Sequence, residues 1–112
     1  MKIHYMKLKP HPYDLIKIGC KDIEMRLNDD KRQAINIGDI IAFTNTESYE
    51  IIRVIVLNKH RFNNFTELYN AFDKARLGYS EYEMADPKDM EKYYSEEEIA
   101  KHGVLGIEIQ LV

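Results

Sequence analysis

Gly19-Cys20-Lys21-Asp22-Ile23-Glu24-Met25-Arg26-Leu27-Asn28-Asp29 alternates almost without a break between apolar and polar residues. Ile23, Met25 and Leu27 share one parity, and Asp22, Glu24, Arg26 and Asn28 share the other. Successive side chains of a strand point to opposite faces, so the pattern predicts a strand with one apolar face and one row of charges. Lys21 stands at its mouth, just after a glycine turn. No other segment concentrates so many functional groups. The simplest reading is a solvated strand face with Glu24 paired to Arg26, because exposed charges usually do no more than this. The sharper reading is an anion pocket.

The flanks say how this strand is held. Lys2–Leu8 alternates and predicts a short strand. Pro10 and Pro12 follow, Pro12 in a position suited to a first helical turn. Leu15, Ile16 and Ile18 then lead to Gly19, which suits the left-handed residue that closes a helix. Downstream, Asn28–Gln33 reads as a polar loop and Gly38-Asp39 as a turn. Ile40–Phe43 reads as a strand. Tyr49–Leu57 is apolar on both faces apart from Glu50 and Arg53, the pattern of a central or barrel strand.

The second half is mostly helical. Phe65, Leu68, Tyr69 and Phe72 recur at helical spacing, with Asn64 and Glu67 placed to cap the segment. Gly78–Asp86 is a polar, aromatic connector, and a short helix is expected from Asp86 to Tyr93. Ser95 and Glu98 form a capping box, with Tyr94 and Ile99 at the staple positions. His102-Gly103 ends that helix. Leu105, Ile107, Ile109 and Leu111 alternate with Gly106, Glu108 and Gln110 in a half-buried last strand. Regular crossover helices are missing, which argues against a doubly wound sheet. The expected fold is α+β: a small, mostly antiparallel β-barrel with short helices packed over its ends.

At 112 residues and 45% hydrophobic content, one domain spanning 1–112 is expected. No run of about 18 apolar residues exists, so no membrane-spanning helix is expected. The N-terminus lacks the apolar core of a signal peptide. Cys20 stands alone, which excludes an intrachain disulfide and fits a cytoplasmic protein. The net charge of −3 argues against a strongly basic nucleic-acid binder. Its distribution is uneven, however. Residues 1–35 hold eight Lys/Arg against five Asp/Glu, and residues 63–112 hold five against eleven. A basic third on an acidic chain can still steer an anion.

Candidate ligand-binding residues are therefore Lys21, Glu24, Arg26 and Asn28. Arg26 offers a planar fork of donors for phosphate or a base edge. Glu24 can hold Arg26 or accept from an exocyclic amino group. If the protein is an enzyme, Lys21 and Glu24 are the catalytic candidates, Lys21 as base or nucleophile. His4, His11, His60 and His102 are scattered without ligand spacing, so no metal is expected, and no motif calls for a cofactor. Cys20 lies at a helix C-terminal turn, which disfavours a thiolate. Tyr79, Tyr82, Tyr93 and Tyr94 could stack bases, although the staple geometry makes Tyr93 and Tyr94 better candidates for packing. His60 and Arg61 could line a cleft rim or simply end a strand.

These residues carry a resemblance. Gly19-x-Lys21-x-x-Glu24-x-Arg26 resembles the G-x-K-x-x-E-x-R signature of the ASCH domain family, a branch of the PUA-like superfamily. Ile37-Gly38-Asp39-x-Ile41-x-Phe43 and the ending Tyr93-Tyr94…His102-Gly103-Val104-Leu105-Gly106-Ile107 are similar to small prokaryotic members. The resemblance spans essentially the whole chain. It implies a small barrel with a charged cleft beside the 21–28 strand, binding RNA or a nucleoside or nucleotide ligand; a monomer is expected. Some family members are hydrolases of N4-acetylcytidine, and one is a ribonuclease. The amidohydrolase set has threonine two residues before the motif arginine, where this chain has Glu24. A later glutamate of that set has only Glu67 as a trial match here. Binding is therefore the leading expectation, and hydrolysis of a modified nucleoside or of RNA the alternative.

Overall fold

Why the strand beginning near residue 21 starts where it does is visible in the helix before it. The computed structural model describes residues 1–112. Strand β1 (Ile3–Leu8) runs into helix α1 (Pro10–Lys17), whose first position is a proline that needs no amide donor. Tyr13 and Ile16 fix the buried side of α1. Gly19 takes φ +84°, and the amides of Cys20 and Lys21 both donate to the Leu15 carbonyl, at 2.9 and 3.1 Å. The turn that closes α1 therefore also fixes the backbone of Lys21.

Strand β2 (Ile23–Leu27) follows, then α2 (Asp30–Gln33), β3 (Ile40–Asn45) and β4 (Ile51–Phe62). Next come α3 (Phe65–Ala71), a 3-10 turn (Lys74–Leu77), α4 (Lys88–Glu91), α5 (Glu96–His102) and β5 (Val104–Leu111). The segment read as a polar loop contains α2. Asp29 caps it by accepting from the Arg32 amide at 3.1 Å. The capping box of α5 is present in full, and Asn64 accepts from the Glu67 amide at the start of α3. The connector after Gly78 carries no helix until Lys88 and is tied down by tyrosine. The Tyr79 hydroxyl meets the Tyr69 hydroxyl at 2.7 Å and donates to Asp89 at 2.8 Å.

One sheet has the order β1-β3-β4-β5-β2. β2–β5, β3–β4 and β4–β5 are antiparallel, and β1–β3 is parallel. The α+β barrel-like architecture is as expected; the sheet is mixed and curls into a half-barrel. β4 does the curling. Its first half pairs with β3 and its longer second half with β5, with a register shift between Val56 and Asn58. β1 and β2 are the two edges. Their facing rims share no ladder.

Two apolar clusters fill the interior. One joins β1, β3, β4 and β5 to α1 through Met6, Tyr13, Phe43, Val54 and Ile107. The other joins β2 to α3 and α5 through Ile23, Met25, Phe65, Leu68 and Ile99. At β1 the parity is resolved: His4, Met6 and Leu8 point inward, and Ile3, Tyr5 and Lys7 outward. No helix is long and apolar enough to cross a membrane.

Candidate functional site

The row of polar residues on β2 is not a solvated face. Glu24 is 3% exposed and Lys21 8%, while Arg26 is half-buried. Alternation alone cannot reveal this, because helices and the opposite sheet edge cover the second face of the strand as well. Glu24 sits between two cations. Its Oε1 lies 3.4 Å from Lys21 Nζ, and its Oε2 accepts from Arg26 Nε at 2.7 Å. Burial pushes the Glu24 carboxyl up, but the Lys21 and Arg26 charges outweigh it and hold the group below the usual carboxylate range. Glu24 is therefore an ionised anchor.

The two cations differ in what they have left to offer. Arg26 Nη2 donates to the Lys7 carbonyl at 2.9 Å, across the gap between the two sheet edges. Lys31 Nζ does the same to the Tyr5 carbonyl at 3.1 Å. These two side chains join β2 and α2 to the rim of β1 where no ladder does. Lys21 has no comparable partner. Its ammonium carries three donors, and its nearest acceptor is the Glu24 oxygen at 3.4 Å. Gly78 helps to make room for its stem: a Cβ there would stand 3.2 Å from Lys21 Cδ, and the φ of +104° already favours glycine.

The Lys21 head opens into a cavity of about 280 Å³ bounded by β1, β2, the start of α1 and the α4 region. Lys7, Lys9, Arg26 and Tyr93 stand in its wall. A second hollow of about 240 Å³ continues from it, sharing Pro12, Lys21, Met25, Met90 and Tyr93. Lys9 Nζ lies 5.1 Å from the centre of the Tyr93 ring, which is 57% exposed. On the other side of Arg26, a shallow basic surface carries Lys7, Lys31 and Arg32 beside Tyr5. Six of the eight Lys/Arg of residues 1–35 thus line these adjoining hollows.

Lys21, Glu24 and Arg26 are brought together, but Asn28 is not among them. Its side chain lines another cavity, at the far end of β2 beside Arg61 and His102. Tyr94 stacks on Phe65 at 6.0 Å, a packing role in keeping with its staple position. Tyr79 is committed to Tyr69 and Asp89, and burial raises its phenol well above the ordinary value. Tyr82 is 91% exposed. His60 pairs with Glu108 at 2.9 Å, and Glu67 accepts from Asn63, both outside the Lys21 cavity. Sequence reasoning missed Lys7, Lys9 and Met90 in the cavity wall. The alternation of β1 marks Lys7 as outward-facing, but nothing local says that β2 lies opposite.

The fold has known counterparts. The hypothetical protein PH0355, known from a crystal structure, is similar over 100% of both chains, with 32% identity and a TM-score of 0.79. Protein PF0455 from Pyrococcus furiosus, known from solution NMR, is similar at 30% identity and a TM-score of 0.71, over 100% of this chain and 98% of that one. A ZmASCH variant from Zymomonas mobilis shares the fold at 12% identity and a TM-score of 0.69, over 96% of this chain and 67% of that one. No curated protein matches the sequence. The ASCH domain model matches residues 6–112, and with that span this chain belongs to the ASCH domain family.

Proposed function

We propose that this ASCH domain binds single-stranded RNA or a nucleotide in the cavity beside β2. Lys21 and Arg26 take the phosphate or polar base edges, and Glu24 holds both cations in place. The observation that carries this reading is the Lys21 ammonium: nearly buried, aimed into a cavity, and supplied with one distant acceptor for three donors. A buried charge that is held but not saturated has capacity for an anionic or carbonyl-bearing ligand. Lys7 and Lys9 extend the positive field, and the exposed Tyr93 ring offers a stacking surface.

The test is a titration of short single-stranded RNAs against wild type, Lys21→Ala and Arg26→Ala. Loss of about tenfold or more in affinity is expected for each variant. The affinity should also fall steeply with added salt, since phosphate contacts release counterions. Equal affinity across the three proteins would sink the assignment. The hydrolytic alternative has Lys21 acting on an acylated nucleoside or on RNA. It rests on the same buried amine, but Glu24 counts against it: its two carboxylate oxygens are each already engaged by a cation, so neither is free to take up a proton. Incubation with N4-acetylcytidine and with RNA, read by mass spectrometry, is expected to show no turnover.

A further inference from the structure

Asn28 raises a question that the Lys21 cavity does not answer. The residue is 2% exposed. Its main chain is fully engaged: the amide donates to the Gly103 carbonyl at 3.0 Å, and the carbonyl accepts from Gln33 Nε2 at 2.9 Å. Its side-chain amide has no hydrogen-bond partner within the chain, yet it is not among the fully sealed polar atoms, so it reaches the neighbouring cavity. A carboxamide carries two donors and two acceptor lone pairs, and buried amides ordinarily find partners for them.

The cavity it floors measures about 700 Å³ and lies between the ends of β2, β4 and α5. Arg61, Lys101 and His102 stand around it. The carboxylate of Glu67 also lines it, but is occupied by the Asn63 amide at 3.2 Å and by Asn63 Nδ2 at 3.3 Å. Neither Arg61 nor Lys101 has an ion-pair partner, and both side chains are exposed. The arrangement is thus a buried donor–acceptor amide beneath a cationic rim. A nucleotide matches both parts, with a base edge below and a phosphate above. The Watson–Crick edge of each base carries a donor beside an acceptor, which a carboxamide can meet with two hydrogen bonds.

We propose that this second cavity is a nucleotide subsite, with Asn28 meeting the edge of a base and Arg61 and Lys101 holding the adjoining phosphate. It deepens the RNA-binding reading, because β2 then connects two subsites: Lys21 precedes its first residue and Asn28 follows its last. One strand of RNA would engage both, so affinity rises with oligonucleotide length.

The test is a titration of isotope-labelled protein with 5′-AMP, with oligoadenylates of increasing length and with matching oligouridylates, followed by NMR. Two reporters are read together: the side-chain amide of Asn28, and the backbone amide of Met25 beside Lys21. The longer oligonucleotides of both series should move both, and should bind more tightly than 5′-AMP. In Arg61→Ala/Lys101→Ala, whose changes lie on an exposed rim and spare the fold, the oligoadenylate affinity should fall about tenfold. Asn28→Ala should weaken binding of the longer oligonucleotides about tenfold; if that variant fails to fold, the rim variant still decides. Movement of Met25 alone, with the rim variant binding like wild type, would overturn the second subsite and leave the Lys21 cavity standing. Movement of Asn28 alone would keep the subsite and overturn the cavity. An Asn28 signal that no oligonucleotide shifts overturns the subsite and leaves the amide to water.

Discussion

Two buried carboxylates anchor other groups in this fold, and they do so in opposite ways. Asp39 sits at the head of β3, beneath β1. Its Oδ2 accepts from His4 Nε2 at 2.8 Å and from the Asn36 amide at 2.9 Å, and its Oδ1 accepts from the Lys2 amide at 3.1 Å. Every bond there ties one part of the chain to another. Glu24, in β2, is equally buried, but it holds side chains whose remaining donors point into a cavity. The first arrangement is closed and pins a turn to a strand. The second is open on one side. The difference separates a charge buried for the fold from a charge buried for a ligand, and it does so by counting partners rather than by burial.

The largest effect expected is from Glu24→Gln. It leaves Lys21 and Arg26 side by side without their anion, and breaking a buried pair in this way costs about 3 kcal/mol or more. Urea denaturation should show it as a lowered midpoint. A loss near zero would put the open site on the same footing as an exposed pair and remove the contrast.

Lys21→Met comes next. It keeps the stem and deletes the charge while Arg26 still neutralises Glu24. Stability should fall by only about 1 kcal/mol, since the lysine makes no close hydrogen bond, whereas RNA affinity should fall about tenfold. A large stability loss with intact binding would reverse the assignment.

Acid sharpens the comparison from the other side. The hydrogen bonds from His4, Asn36 and Lys2 lower Asp39 to about 2, from an ordinary value of 3.8. A depressed carboxylate contributes stability that is present above its unfolded value and lost as pH falls through its folded value. The Asp39 contribution should therefore hold at pH 5 and disappear between about pH 4 and 2. Asp39→Asn should flatten that limb of the stability profile.

The smallest effect belongs to Lys17→Ala. The Lys17–Glu50 pair is 3.3 Å apart with both side chains more than half exposed, and its loss should cost less than about 0.5 kcal/mol. A greater loss would mean that distance, not burial and partner count, sets the worth of ion pairs here.

Much of this was legible in the sequence because it is local. Gly19 closes α1, Ser95 and Glu98 cap α5, and the parity of Ile23, Met25 and Leu27 sets β2, each within a few residues of its cause. The grouping of Lys21, Glu24 and Arg26 was also legible, since strand parity places Glu24 and Arg26 on one face. What was not legible depends on distant chain. Burial of that polar face needs Met90 and Tyr93, more than sixty residues away in sequence. The parallel pairing of β1 with β3 needs a crossover that no local signal encodes. Asn28 shares the parity of Glu24 and Arg26, yet the curl of the sheet and the end of α5 carry it to a different cavity.

The seam between β1 and β2 should also show in hydrogen exchange. The amides of Ile40 and Thr46 donate to the Lys2 and Leu8 carbonyls, so the even residues of β1 spend their main chain on β3. Tyr5 and Lys7 then face the seam, where Arg26 and Lys31 occupy their carbonyls but leave their amide hydrogens without an acceptor. Those two protons should trade with deuterium early, while the amides of β3 and β4 in the shared ladder keep theirs. The half-barrel is thus fastened along one line by side chains, and along that line exchange should outpace the ladder.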